Sequence, residues 1–318
     1  MTVPERPGET ACANAIFQQP WWLEAMAPGH WDEVTVERDG RLVARLPYVV
    51  RGRPRMRVLT MPPLTQTLGP WMERSQASPS RTLGHEHELL AELEAALPPA
   101  AAFVQQFSPT VLNALPFHWA GYRLEVQYTY RLDLGPEDEL WTGLRGSIRR
   151  EIRKARRQVE VREDLGLDCF HAVWAKTFAR QGLVAPASLA ELERLDTACA
   201  VHDARAMLFA CDATGNVHAV AYVVWDRNGA FNLLGGADPG LRSSGASSLL
   251  MWESIVRARR VTDVFDFEGS MIAPVERFFR AFGSRQTPYL KVTRTTPAAR
   301  GAFAVRDRLR RLAPRRRS

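Results

Sequence analysis

The sequence contains few cysteines and no long apolar run, and each shortage excludes a class of protein. No Cys-x-x-Cys pair occurs among its four cysteines, which are Cys12, Cys169, Cys199 and Cys211. This scatter argues against a disulfide framework or a zinc ribbon and is typical of a reducing cytosol. Glu5 and Glu9 interrupt the start of the chain, and no apolar run has the length of a membrane span. We therefore expect a cytoplasmic protein that does not insert into a membrane.

Metal-ligand spacing is also missing. His85 and His87 form an isolated His-x-His without further ligands at metal-binding distance in the sequence, so no metal site is predicted. What the chain does have is the composition of a globular protein, with 318 residues of which 46% are apolar and 24% are charged. This length is ample for two hydrophobic cores, and we expect two domains.

Positive charge is concentrated in two runs. The net charge is +7, and basic residues crowd residues 145–157 and 306–317. Such runs favour phosphate-bearing or anionic partners. No aromatic residues interleave with the first run, which argues against base-specific RNA recognition and leaves nonspecific attraction open. Residues 301–318 are interpreted as a basic C-terminal tail.

Turn signals and hydrophobic periodicity predict alternating strands and helices. The first half begins with a hairpin around Asp39-Gly40 and continues with a helix over 85–97 and a strand over 102–107. The second half begins with one long amphipathic helix over 140–159, whose flanks are basic. Three strands and a further helix follow, over 206–211, 218–225, 230–235 and 244–258. The fold class predicted from this order is α/β, with α+β character.

A repeated pattern links the two halves. The segment "LPFHWAGYRLEVQYTYRL" is matched 162 residues later by "VERFFRAFGSRQTPYLKVTR", with Gly121 and Gly283 at corresponding places. The preceding strand and helix keep the same offset, which indicates a duplicated unit. Gly135-Pro136 is the natural joint. We predict an N-terminal domain over 1–135, a C-terminal domain over 136–300, and the tail.

A glycine-rich turn joins a strand to a helix in "AFNLLGGADPGLRSSGASSLLMW". The first amides of a helix have no partner within the helix and carry partial positive charge, and small side chains let an anion approach them. The alternative is a helix start that binds nothing. If the turn binds a diphosphate, the residues predicted to hold it are Arg242, Ser243, Ser244, Gly245, Ala246 and Ser247.

Two acidic residues stand at alternate positions in "VFDFEGS". The alternation predicts that Asp266 and Glu268 share one face at the carboxyl end of a strand, where open α/β sheets bind ligands. Buried carboxylates require a basic partner or a substrate amine. Glu268 is our candidate general base, and Asp266 would orient it or the substrate ammonium. The alternative is an internal ion pair with Arg277, Arg280 or Lys291.

Further residues are candidates for substrate binding. They comprise three cations of the basic helix, a loop of the first half and two residues of the last strand: Arg145, Arg149, Lys154, Thr65, Gln66, Thr67, Tyr289 and Lys291. The cations suit an anionic group or a nucleic-acid phosphate. The loop suits a position over a cleft, although a plain turn is the alternative.

Two of these motifs carry a resemblance to a known family. The run Arg242-Ser-Ser-Gly245-Ala-Ser and the run Phe279-Arg-Ala-Phe-Gly283 resemble the acyl-CoA loop and the later helix of GNAT acyltransferases. Phe279 stands where many GNAT enzymes place a tyrosine that protonates the leaving thiolate. Two such domains with a basic amphipathic helix resemble the Fem-type branch of that superfamily, which includes transferases that use aminoacyl-tRNA.

The resemblance implies two tandem GNAT-like domains, each a mixed sheet flanked by helices. It implies an N-acyltransferase that takes acyl-CoA, such as acetyl-CoA, as cosubstrate without a tightly bound cofactor, and a small-molecule or peptide amine as acceptor. Two alternatives stay open: a Fem-type transferase that receives tRNA through the basic helix, and a GNAT-like binding module without catalysis. The oligomeric state is not predicted.

Overall fold

The computed structural model describes residues 10–179, 185–269 and 271–301. The basic run over 306–317 therefore lies outside the described residues. Nine α-helices occur in the described part of the chain: α1 Pro20–Met26, α2 Pro79–Ala96, α3 Leu115–Trp119, α4 Glu137–Gly143, α5 Gly146–Ala155, α6 Leu167–Ala179, α7 Leu189–Val201, α8 Ala246–Ala258 and α9 Ala273–Arg280.

Twelve strands accompany these helices in the same ranges. They are β1 Trp31–Arg38, β2 Arg41–Arg51, β3 Val58–Thr60, β4 Trp71–Met72, β5 Ala102–Gln106, β6 Arg123–Asp133, β7 Glu160–Arg162, β8 Arg205–Cys211, β9 Val217–Asp226, β10 Gly229–Ala237, β11 Val264–Asp266 and β12 Arg285–Thr295. Helices lie between groups of strands along the chain, and the strand pairs are both parallel and antiparallel, which confirms the predicted α/β class with α+β character.

The first of two compact units consists of the described residues of Met1–Pro28, Pro63–Gln66 and Gln127–Pro288. Its strands lie in the order β6-β11-β10-β9-β8-β7. Successive residues of β8 enter different cores: Leu208 packs in the cluster that contains α5 and α8, and Phe209 packs with α6 and α7. Because both faces are covered, β8 and β9 read as continuous apolar runs rather than as alternating ones.

The second unit consists of the described residues of Gly29–Pro62, Thr67–Val126 and Tyr289–Ser318. Its strands lie in the order β1-β2-β3-β5-β12, and β4 also pairs with β2. The core of this unit gathers Leu89, Leu90 and Leu93 of α2 with Phe103 and Phe117. The three leucines recur at helical spacing, so their burial explains the apolar stripe of α2.

The predicted duplication appears in the strand bounds. Strands β6 and β12 have equal lengths, and each follows a glycine with positive φ, 85° at Gly121 and 80° at Gly283. Strand β6 pairs with β11 of the second half of the sequence, and β12 pairs with β5 of the first half. The compact units therefore interleave along the chain, and the linear boundary at Gly135-Pro136 stays a prediction.

The single long helix predicted over 140–159 was wrong. The chain leaves helical geometry at Leu144 and Arg145, whose ψ angles are 142° and 144°, so that α4 and α5 are separate helices. The guanidinium of Arg149 donates to the carbonyl oxygens of Thr142 and Leu144, each at 2.7 Å. It thereby satisfies groups that a helix end leaves unpaired, and the amphipathic period did not reveal this.

Candidate functional site

A cavity of about 810 Å³ opens in the first unit. Its walls come from α6, β9, β10, α8, α9 and residues 64–66. Most of the lining is apolar, including Trp174, Phe178, Met251, Phe267, Phe278 and Phe279. Both Ser247, at the start of α8, and Glu268, after β11, border this cavity. Ser247 is the one residue of the predicted donor turn that borders the cavity, and it shares this space with the predicted base.

The cavity lies where two neighbouring strands part. Strands β10 and β11 are paired only at Ala230 with Phe265 and at Phe231 with Asp266. Beyond Phe231, β10 runs on to Ala237 while β11 has ended, and a register shift against β9 leaves Leu233 as an extra residue. A bulge bends a strand and re-aims its side chains. This separation gives space for a ligand at the carboxyl end of β11.

Glu268 has an unusual backbone and an unpaired carboxylate oxygen. Its φ is 56°, in the left-handed region that non-glycine residues seldom occupy. Its Oε1 atom is buried and has no hydrogen-bond partner among the described residues. Burial, and next the charge of Asp266, raise the pKa of Glu268 well above the ordinary glutamate value. A carboxylate in this state is a stronger base than an exposed one.

Asp266 is held by two hydrogen-bond donors and one nearby cation. Thr129 Oγ1 donates to its Oδ1 at 2.5 Å, the backbone N–H of Glu268 donates to the same oxygen at 2.9 Å, and the Arg131 guanidinium lies 3.7 Å from Oδ2. Burial raises the pKa of Asp266, and the Thr129 hydrogen bond, the Arg131 charge and the Glu268 amide oppose that rise. Asp266 therefore fixes the turn that presents Glu268.

The ion-pair partners predicted for the acidic pair were wrong. Asp266 pairs with Arg131 of β6, whereas Arg280 pairs with Glu276 one helical turn away, at 2.7 Å. The predicted shared face also ends early, because the left-handed turn at Glu268 interrupts the alternation. Asp266 is buried beside Thr129 and does not border the cavity, whereas Glu268 does.

Gly269 fits only because it has no side chain. A Cβ atom there would lie 2.1 Å from the carbonyl oxygen of Tyr128 and 2.5 Å from the Cα of Thr129. Its N–H donates to Thr129 Oγ1 at 2.9 Å. The acidic residues, the glycine and β6 therefore form one closely packed corner.

The predicted donor turn contains a left-handed glycine directly before a helix. A 3₁₀ turn over Arg242–Ser244 leads to Gly245 with φ 81°, and α8 begins at Ala246. Ser244 Oγ accepts the N–H of Ala246 at 3.3 Å, whereas no described acceptor takes the N–H of Gly245 or of Ser247. A Cβ at Gly245 would lie 2.7 Å from the Glu151 carbonyl oxygen of α5. Glycine is thus required by both φ and packing.

The three basic candidates have different surroundings. Lys154 Nζ donates to the carbonyl oxygen of Ser243 at 2.5 Å, which puts its charge at the donor turn. Arg149 caps the carbonyl groups at the end of α4 and is committed to that role. Arg145 is exposed, and its backbone N–H donates to Ala281 at 2.9 Å. Of the three, Lys154 is the one that the structure brings to the candidate site.

The other candidates divide between the units. Thr65 and Gln66 line the cavity, but Thr65 Oγ1 already accepts from Trp22 Nε1 at 3.1 Å and donates to the Pro63 carbonyl at 3.2 Å. Gln66 has no hydrogen bond to its side chain among the described residues. Three predicted residues belong to the second unit and to no part of this cavity: Thr67, Tyr289 and Lys291.

Several lining residues were missed from the sequence. Asn232 and Thr177 are the polar ones, and Trp174 and Phe178 of α6 form an apolar wall. Asn232 interrupts the apolar strand run "AFNLLGG", which was a usable signal. The aromatic residues of α6 gave no such signal, because their spacing is the same as in any helix that packs against a core.

The position of the usual tyrosine is apolar. Phe279 is buried and its ring lies 5.4 Å from that of Phe267, measured between centroids. The hydroxyl of Tyr130 donates to Glu276 Oε1 at 3.1 Å and does not border the cavity. The lining residues in the described part of the chain include no tyrosine.

Two other features are absent from the described ranges. No group of three or more His, Cys, Asp or Glu side chains is placed to hold a metal ion. None of the helices has the length and apolar character needed to cross a membrane.

Part of the chain matches a known protein family, and most of the chain superposes on solved structures. Residues 143–280 match a family model described as an acetyltransferase (GNAT) domain. Among solved structures, FemX superposes with a TM-score of 0.67 at 13% identity, over 86% of this chain and 91% of FemX. A tandem GNAT protein from the clavulanic acid biosynthesis pathway, determined without AcCoA, superposes with a TM-score of 0.54 at 12% identity, over 91% of this chain and 90% of that protein.

A third structure has the same architecture. The C-terminal domain of a protein described as a lysylphosphatidylglycerol synthetase, from Agrobacterium fabrum, superposes with a TM-score of 0.51 at 16% identity, over 86% of this chain and 87% of that domain. No curated protein matches. The chain has a Fem-type, GNAT-like fold with two GNAT-like domains, which confirms the resemblance and the predicted fold class. This fold supports a transferase; at these identities the structural similarity defines the fold, not the substrates.

Proposed function

We propose that the chain is an N-acyltransferase that moves an acyl group from acyl-CoA to a primary amine, with Glu268 as the general base. The observation that carries this proposal is that Ser247 and Glu268 border a single cavity. Ser247 offers an unpaired N–H group at a helix start, which suits a diphosphate, and Glu268 offers a buried carboxylate oxygen, which suits an amine.

The reaction balances with one base. The acceptor enters as an ammonium, and Glu268 removes one proton from its nitrogen. The nitrogen then bonds to the thioester carbonyl carbon, and collapse of the tetrahedral intermediate breaks the carbon–sulfur bond. The sulfur leaves with the bonding electrons and takes the second nitrogen proton through solvent, since no tyrosine borders the described cavity. Glu268 releases its proton to water, which leaves an amide, a free thiol and one proton.

Donor binding would rest on the start of α8. The N–H groups of Gly245 and Ser247 would donate to diphosphate oxygens, and the Lys154 ammonium at the turn would add positive charge. Ser247 is exposed, so a ligand can reach it. Arg242 is exposed as well and offers a further cation on the same turn.

An aminoacyl-tRNA donor is the second candidate. It is favoured by the exposed cations of α5, among them Arg150 and Arg153, on the helix that also brings Lys154 to the donor turn. An aminoacyl ester in place of a thioester would need the same base and the same acceptor position. The two candidate functions therefore differ in the donor that binds, which is acyl-CoA in the first and aminoacyl-tRNA in the second.

Calorimetric titration with acetyl-CoA and longer acyl-CoAs tests the donor. We expect binding by the wild type and its loss in Ser247→Asp, since a carboxylate there repels the diphosphate. The substitution should not unfold the helix, because acidic residues stabilise helix starts. Ser80→Asp is the matched control, because Ser80 is the exposed second residue of α2. If no acyl-CoA binds to the wild type while aminoacyl-tRNA does, the second candidate replaces the first.

A further inference from the structure

The charge of the cavity limits what can enter it. Glu268 is the one charged side chain among the described lining residues, which include no lysine, arginine or histidine. Two nearby cations are paired with other carboxylates: Lys176 pairs with Asp238 at 2.7 Å, and Arg131 faces Asp266. A carboxylate or phosphate on the acceptor would therefore meet no countercharge from the described lining residues.

The neutral polar groups of the cavity have unfilled hydrogen-bonding capacity. The side-chain amides of Asn232 and Gln66 have no hydrogen bond to another described residue, and both border the cavity. An amide offers donors and an acceptor but no charge. These groups can orient an uncharged substrate; they cannot offset a buried anion, whose cost is several kcal/mol.

The apolar cavity has a larger volume than an acetyl group alone would fill. Trp174, Phe178, Met251 and Phe278 present rings and a thioether to a space of about 810 Å³. Pockets for drug-sized molecules fall in the range of about 300–1,000 Å³. The pantetheine arm of acyl-CoA is uncharged and would share the space, and room remains for an apolar acceptor.

We infer that the acceptor is a primary amine on an apolar, uncharged body, and that amines carrying a carboxylate or phosphate close to the nitrogen are rejected. Arylalkylamines, alkylamines and peptide N-termini with an apolar first residue meet this description; free α-amino acids do not. The amine would lie at the Glu268 carboxylate, and its body would lie against the aromatic side chains of α6 and α9.

Three probes of similar size isolate the charge. Phenethylamine, phenylalanine methyl ester and phenylalanine share an aromatic ring and an amine, and among them only phenylalanine carries a carboxylate. Titration of the full chain should show that the first two bind, and that phenylalanine binds roughly tenfold or more weakly. Equal or tighter binding of phenylalanine, or no binding of any probe, would overturn the inference.

Two variants locate the binding. Glu268→Gln should weaken the binding of phenethylamine. Glu125→Gln, which removes an exposed carboxylate of β6, should leave that binding unchanged. Gln66→Arg adds a guanidinium to the lining and should narrow the preference for the ester over phenylalanine. If both Glu268→Gln and Gln66→Arg leave probe binding unchanged, the probes bind elsewhere and the inference fails.

The inferred substrate class can be tested by binding alone; only its test by turnover rests on the proposed function. Selective binding of the uncharged amines without amide formation would reject the acyltransferase proposal and keep the inference. Amide formation that favours phenylalanine over its methyl ester would support the acyltransferase proposal and reject the inferred substrate class.

Discussion

The two repeated halves place different side chains at corresponding positions. Strand β11 pairs parallel with β10 and antiparallel with β6, and β5 pairs parallel with β3 and antiparallel with β12. Yet at the places of Asp266 and Glu268 the first half has Val104 and Gln106. The same strand arrangement therefore forms with and without the acidic pair.

The helix starts differ in the same way. Helix α8 begins after Gly245 in the left-handed conformation, whereas α2 runs unbroken through Leu83 at the corresponding position. Leu83 is exposed, so nothing in the described packing of α2 requires a break there. The left-handed glycine before the helix and the two carboxylates therefore occur together in one half only, as the proposed function requires.

The largest expected effect is on turnover. Glu268→Gln removes the base and should lower kcat by about 10²–10⁴-fold, the usual contribution of general base catalysis. Thiol release from acyl-CoA in the presence of a primary amine measures it. Glu125→Gln is the control and should keep full activity. Retained turnover in Glu268→Gln would remove Glu268 from the mechanism.

A glycine exchange separates the two helix starts. Gly245→Ala should lower the free energy of unfolding by more than about 2 kcal/mol, because it combines left-handed strain with a contact against the Glu151 carbonyl. Gly84→Ala, at an open position inside α2, should raise it by up to about 1 kcal/mol. Denaturant unfolding measures both. Equal effects would show that the turn before α8 is not specially constrained.

Thr129 tests the support of Asp266. Thr129→Val removes the hydroxyl that donates to Asp266 and accepts from Gly269. We expect a loss of about 1–3 kcal/mol in the free energy of unfolding, since a buried charged group loses a donor. Thr293→Val, a half-buried threonine of β12, is the control and should change it by less. A Thr129 variant as stable as the wild type would contradict this role.

The smallest effect is the dependence of stability on pH. The pKa of Glu268 is raised in the folded chain, so its carboxyl favours folding less as the pH rises above 4.5, the ordinary glutamate value, through the folded pKa. The wild type should lose stability over that range relative to Glu268→Gln. Parallel unfolding midpoints of the two proteins from acid to neutral pH would show that the carboxyl is not desolvated.

The sequence was sufficient for the fold class, the repeat and the two motifs. Periodicity reports local geometry, and a repeat at constant offset reports a duplicated unit, so β8, β9 and α8 were predicted close to their observed bounds. The turn before α8 was predicted because Gly and Ser precede an apolar helix there; that this turn binds an anion stays a prediction.

The features that were not predicted from the sequence depend on contacts between residues far apart in the chain. Strand β6 lies far from β11 in the sequence, so periodicity did not reveal that Thr129 and Arg131 hold Asp266. The break before α5 depends on a capping guanidinium, and the α6 wall on tertiary packing. Neither leaves a local pattern.

The central claim is that the start of α8 and Glu268 serve the two ends of one ligand site. A crystal structure with bound CoA tests it most directly. We predict diphosphate oxygens within about 3 Å of the N–H nitrogens of Gly245 and Ser247, and the thiol in the cavity bordered by Glu268. A CoA molecule bound away from α8, or a thiol outside that cavity, would contradict the account.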